Sequence, residues 1–218
     1  MKIRFALACA ALSAAAQVHA QANPPGQVDT ALLLAAHGAE TAVIETLKDM
    51  VSIESGSANA EGLARMADYT SERLRTLGAK VERLQPAKGH GPMVKAVFEG
   101  TGSKRLMLIA HMDTIYPVGI LATEPFRRDG NKLYGPGIAD DKGGIAVILH
   151  GMKILQDAGW RGCARVTVLH KGDEEIGSIG SGETIAALAA EHDLVLSLEP
   201  TAAKAVAKRF GLDRHDIY

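Results

Sequence analysis

Cysteine is scarce in this 218-residue chain, which has only Cys9 and Cys163. Cys9 lies in an N-terminal segment expected to be removed, and it lacks the flanks of a lipoprotein site. No internal disulfide can then form, and a zinc site built on paired thiolates is excluded. An excess of charge of one sign is lacking too. The 24 Lys+Arg against 25 Asp+Glu give a formal net charge of -1, which leaves no electrostatic footprint for nucleic acid or an anionic membrane. Beyond the first twenty residues there is no long apolar run, so no membrane span is expected in a soluble mature chain. Internal repeats and low-complexity blocks are also missing.

An apolar share of 47% is enough to build a core, so disorder is not the default. The length suits one domain, or a large domain with a short appendage. Residues 1–20 carry Lys2 and Arg4, then an apolar stretch from Phe5 to Ala16, then Val18-His19-Ala20 with small residues at a cleavage position. That pattern reads as a secretory signal peptide, and its apolar part falls short of the ~20 residues a membrane span needs. Export to the periplasm or the exterior is the expectation. Residues 21–40 read as a leader, 41–201 as the folded part and 202–218 as a divergent tail.

Within 41–201 the period of the apolar residues alternates between two values. Ile44, Leu47 and Val51 share a helical face, as do Leu63, Met66, Leu74 and Leu77, with Gly78 placed to stop the second helix. Val94, Ala96 and Phe98 alternate like a half-buried strand, and Leu106 to Ala110 is a continuous apolar run. Helical spacing returns from Ile145 to Leu155, ahead of Gly159. Val166 to Leu169 predicts a strand, Ser181 to Glu191 a helix and Leu194 to Leu198 a further strand. Strands alternating with helices predict an α/β fold with a mixed, mostly parallel sheet covered by helices.

Four chemistry-bearing clusters sit at the ends of these elements. They are His111-Met112-Asp113, Asp140-Asp141-Lys142-Gly143-Gly144, Asp173-Glu174-Glu175 and Glu199-Pro200. In an open α/β sheet ligands bind outside the carboxyl ends of strands, and three of the four clusters follow a strand. One imidazole with several carboxylates and no thiolate suits zinc or a similar divalent ion. That many carboxylates together repel one another unless cations neutralise them, and two metals sharing one carboxylate would use them all. Each cluster alone has a plainer meaning. His-x-Asp can be a polar loop contact, Asp-Asp-Lys-Gly-Gly a helix cap and turn, Asp-Glu-Glu a solvated charge run, and Glu199 a strand end.

These four stretches, with Tyr134-Gly135-Pro136-Gly137 before the second and Ile176-Gly177-Ser178 after the third, carry a resemblance. The chain resembles the zinc metallopeptidase family that includes carboxypeptidase G, aminoacylase, acetylornithine deacetylase and succinyl-diaminopimelate desuccinylase. It is most similar to the secreted glutamate carboxypeptidase branch. The resemblance implies His111 as a ligand of one zinc, with Asp113 orienting its ring. It implies Asp140 as the bridging carboxylate, although Asp141 competes for that role. Glu174 is the implied general base, Glu175 a ligand of the second zinc, and Glu199 the carboxylate completing the first. The implied reaction is hydrolysis of a C-terminal peptide or N-acyl amide bond, releasing glutamate. In the family a lid and dimerisation domain follows the Glu-Pro-Thr segment. The likeness stops near Thr201, so an incomplete catalytic domain without that lid is expected, with the second zinc site short of one ligand. His215 is not expected to replace it. His170, His150 and Cys163 are expected to be structural. Two other expectations stand beside a hydrolase: a truncated, inactive chain that binds at most one metal firmly, and a periplasmic solute- or metal-binding protein.

Overall fold

The computed structural model of the chain describes residues 28–86, 89 and 91–200. The signal segment 1–20, the tail 202–218 and His215 lie outside the described residues. α1 spans Thr30–Gly38 and α2 Glu40–Val51, followed by α3 over Ala60–Thr76. The strands β1 (Lys80–Leu84), β2 (Met93–Glu99) and β3 (Arg105–His111) come next. A hairpin of β4 (Arg127–Asp129) and β5 (Lys132–Tyr134) precedes α4 (Gly143–Asp157). β6 (Arg165–Lys171), α5 (Gly182–Ala190) and β7 (Leu194–Ser197) complete the order.

The expected elements are present, and the reasons are local. Asn59 caps α3 by accepting from the Gly62 N–H at 3.0 Å, and Gly78 ends it in the left-handed region at φ 79°. The α3 face of Leu63, Met66 and Leu74 is buried, as is the α4 face of Ile145, Ile148, Leu149 and Met152. Four elements had no clear signal. β1 and the β4–β5 hairpin are short and largely polar on one side, so their apolar alternation is faint. α1 lies in the stretch read as leader; it buries no residue and is capped by Asp29.

β1, β2, β6, β3 and β7 lie side by side in one five-stranded sheet. β1–β2 and β2–β6 are antiparallel, whereas β6–β3 and β3–β7 are parallel. The sheet is therefore mixed as expected, with its parallel half around β3. The larger core lies on the face covered by α2, α3 and α4, which pack on Val94, Ala96, Ala110, Val166 and Val168. The opposite face holds Met93, Met107, Ile109 and Leu169 beneath Ile185, Leu188 and Ala189 of α5. β7 is the edge strand. It was expected as one more buried apolar strand, but Leu194, Val195 and Leu196 are 55%, 39% and 44% exposed. Among the described residues only β3 pairs with it, so its other edge is open.

α4 links the β5 side of the chain to β6 across one face, and α5 returns from β6 to β7 across the other. β6 and β7 thus flank β3 from opposite sides, which opens a crevice at the carboxyl ends of these three strands.

This layering predicts unequal costs within α4. Leu149→Ala should destabilise the fold by ~2–5 kcal/mol. Val147→Ala, at a position 58% exposed, should cost ~0.5 kcal/mol or less. Urea denaturation of both variants checks this, and equal losses would contradict the assignment of faces.

Candidate metal centre

His111 is the last residue of β3, and its side chain is fully buried. Its Nδ1 lies 3.0 Å from the backbone oxygen of Asp113 and 3.3 Å from Asp113 Oδ1. Its Nε2 faces the opposite way, 2.8 Å from Asp140 Oδ1 and 3.4 Å from Glu199 Oε2. His111, Asp140 and Glu199 each offer one ligand atom, and these atoms lie within 4.8 Å of one another. The end of β3 and the segments after the hairpin and after β7 thus meet at one point.

The Asp140–Asp141 pair divides its work. The peptide between the two is cis. Asp140 is half exposed and turns its carboxylate to the imidazole. Asp141 is buried, accepts from the His111 backbone N–H at 3.2 Å and from the Gly144 N–H at 3.1 Å, and so ties β3 to the start of α4. Of the two, Asp140 is the one that reaches the cluster. Glycine is required at 144, because a Cβ there would overlap the Asp141 carboxylate and stand 2.6 Å from the Leu198 oxygen. That close approach lets the end of β7 bring Glu199 in. Lys142 is buried between these loops and donates to the backbone oxygens of Ile53 and Pro136 at 3.1 Å each. Burial pushes its amine down to about 8, against the pull of the Glu54 charge.

Asp113 holds the third cluster. Its carboxylate accepts from the N–H groups of Glu174 and Glu175 at 3.0 Å each and from Ser57 Oγ at 2.9 Å. Burial alone would raise its pKa, but the bonds from His111, Ser57 and the two N–H groups outweigh burial and hold it below the ordinary carboxylate range. Asp173, one residue before the pair, is buried and accepts from Gly180 N, Ser181 N and Ser181 Oγ, so it closes the loop into α5. Glu174 is half exposed, with Oε1 3.7 Å from Lys171 Nζ. Glu175 does not join the three-residue cluster. It lines the same cleft as Asp140, and its pKa is raised by burial first and then by the Asp140 charge.

The charges explain what the cluster lacks. Burial opposes a proton on His111, yet the bonds to Asp113 and Asp140 and the charges of Asp113 and Glu199 push its pKa up to about 10. Asp141 is pushed up to about 7 by burial, with Glu199 adding to the shift and His111 opposing it. An imidazolium proton is then the only positive charge among His111, Asp140 and Glu199. A divalent cation fits this donor set: one imidazole nitrogen and two carboxylate oxygens leave coordination positions open, and Nδ1 is already fixed by Asp113.

The other histidines stand apart. His170 shares the sheet face of Val166 and Val168, is fully buried, and burial pushes it down to about 3, so it stays neutral. Neither of its ring nitrogens has a partner among the described residues. His150 Nε2 meets Thr46 Oγ1 at 2.9 Å on the outer helical layer. Ser57, Asp173 and the anchoring role of Asp141 carried no signal of their own in the sequence. Ser57 is 56 residues from the carboxylate it supports, and the two aspartates sit beside stronger candidates.

The fold and cluster define a class: an α/β protein with a carboxylate-rich cluster that could hold a cation at the carboxyl edge of its sheet. The model of peptidase family M20/M25/M40 matches residues 107–211 of the chain. It is 47% identical over 176 residues to carboxypeptidase G2 of Pseudomonas sp. (strain RS-16), covering 80% of this chain and 42% of that protein. A metallo-carboxypeptidase of the same family from Sulfolobus solfataricus superposes with a TM-score of 0.59 at 28% identity, over 73% of this chain and 36% of the other. Human carnosine dipeptidase 1 shares the fold with a TM-score of 0.70 at 19% identity, over 80% and 42% of the two chains. The chain thus spans less than half the length of these relatives.

Two outcomes test the geometry. Asp113→Ala strands three donors and breaks a buried charged contact, so it should cost ~3 kcal/mol or more. It should also weaken zinc binding ~10–100-fold in competition with a chromophoric chelator. Unchanged zinc affinity would remove Asp113 from the site. The second outcome concerns pH. The folded pKa of His111 is raised, so in the metal-free chain its stabilisation is full below pH 6.5 and is lost as pH rises towards about 10. The stability gap between wild type and His111→Asn should narrow across that interval in urea titrations, and a constant gap would contradict a charged imidazole.

Proposed function

We propose that this chain carries the metal-binding part of a hydrolase that cleaves a C-terminal peptide or N-acyl amide bond and releases an amino acid, glutamate in the first instance. The observation that carries the reading is the convergence of His111 Nε2 with the carboxylates of Asp140 and Glu199 on one point at the end of the sheet. The likeness to carboxypeptidase G2 supports the choice of a C-terminal residue, and the resemblance to the glutamate carboxypeptidase branch supports glutamate.

When bound, a divalent cation such as zinc polarises the amide carbonyl and lowers the pKa of water to ~7. The remaining work falls to the chain. His111 holds its Nε2 lone pair towards the cation because Nδ1–H donates to the Asp113 carbonyl. Asp140 and Glu199 balance the cation's charge. Glu174 accepts the proton of the attacking water and passes it to the leaving amine nitrogen. Asp113 touches no substrate; it fixes the backbone of Glu174 and Glu175 and the ring of His111 in one register. Glu175, which lines the same cleft as Asp140, is the candidate ligand for a second cation beside Asp140. The pattern of residues 1–20 supports export.

One observation favours a second reading. Glu175 lies outside the three-ligand cluster, so the described residues build one complete cation site, and a chain that binds one metal firmly without turnover is its consequence. A single set of measurements separates the two. The expected outcome for the hydrolase is zinc uptake and release of glutamate from an acyl-glutamate. Glu174→Gln should lower that release ~100–10,000-fold with zinc uptake intact, and His111→Ala should lose the zinc. Zinc uptake with no release by the wild-type chain decides for the second reading. Release that survives Glu174→Gln removes Glu174 as the base.

A further inference from the structure

We infer that Arg127 is a specificity residue that binds a carboxylate of the ligand occupying the cleft beside the metal cluster. The word substrate here rests on the hydrolase reading; the ligand chemistry does not. The cleft measures about 670 Å³ and is lined by Tyr116, Glu124, Arg127, Tyr134, Asp140 and Glu175 among others. That volume suits a dipeptide-sized molecule. Its charged lining is three carboxylates and one cation, and the cation is Arg127.

Arg127 is held in place. It is the cross-strand partner of Tyr134 in the β4–β5 hairpin, and its guanidinium carbon lies 3.4 Å from the Tyr134 ring centroid. Stacking fixes the plane of the fork but uses none of its five N–H donors. Among the described residues no carboxylate pairs with it. Its neighbour Arg128 points to the other face of the hairpin, where it reaches Glu40 at 3.7 Å. The two arginines thus differ in what they face. Arg128 meets an acid of this chain, and Arg127 presents an unpaired fork to the cleft.

A ligand carboxylate entering the cleft has little choice of position. Glu124, Asp140 and Glu175 repel it, and a preorganised guanidinium offers two parallel N–H bonds. Anchoring the carboxylate at the hairpin wall directs the other end of the ligand, with its amide, towards Asp140 and His111. The hairpin would therefore select for a free acid and set the direction in which it lies.

Binding tests this without requiring turnover. The probes are N-acetyl-L-glutamate and its uncharged diamide, titrated calorimetrically into the zinc-loaded full chain carrying Glu174→Gln. The carboxylate probe should bind at least ~10-fold more tightly than the diamide. Arg127→Met should abolish that preference, and Arg128→Met should leave it intact. Should Arg127→Met fail to fold by circular dichroism, Arg127→Gln gives the same reading. A preference that survives loss of Arg127, equal binding of the two probes, or binding of neither overturns the inference. Its failure is distinct from that of the hydrolase reading, which falls if the wild-type chain takes up no zinc or releases no glutamate, whatever the Arg127 variants do.

Discussion

The crowding of negative charge at the carboxyl edge of the sheet is the constraint on which the rest of this structure depends. Asp113, Asp140, Asp141, Glu175 and Glu199 come from four separate segments and share one crevice. Carboxylates at such distances cannot all stay ionised without a positive partner. The buried His111 ring supplies that partner through both nitrogens. A divalent cation would fit there, because removing the Nε2 proton leaves three ligand atoms and an unbalanced charge.

Topology brings those segments together. β3 lies between β6 and β7, and the two crossovers run over opposite faces of the sheet. Backbone hydrogen bonds then fix the loops. Asp113 binds two consecutive N–H groups of the 174–175 turn, Asp141 binds the backbone of His111, and Asp173 closes the segment leading into α5. The buried carboxylates of Asp113, Asp141 and Asp173 serve as backbone acceptors, and the more exposed Asp140 and Glu175 line the cleft.

Much of the fold was legible because apolar spacing reports burial on one face. The faces of α2, α3 and α4 and the runs of β2, β3 and β6 came directly from that periodicity. β1, β4 and β5 are too short and too polar to show it. β7 shows the limit of the rule: Leu194 to Leu196 read as a covered strand, yet among the described residues they form the exposed edge strand of the sheet. An apolar run states a preference for burial and does not state what provides it.

By itself the sequence determined which residue types stand at the ends of elements, and hence that imidazole and carboxylate chemistry would meet without thiolates. That information is local, since the end of a strand or a glycine turn is marked within a few residues. Only the tertiary structure decided which carboxylate of each pair faces the cluster. It turned Asp140 outward and Asp141 inward, set Glu175 apart from the three-residue group, and enlisted Ser57 and Arg127. Those outcomes depend on contacts between residues tens of positions apart, and a side chain's direction there is fixed by packing and by the hydrogen bonds its distant neighbours leave open.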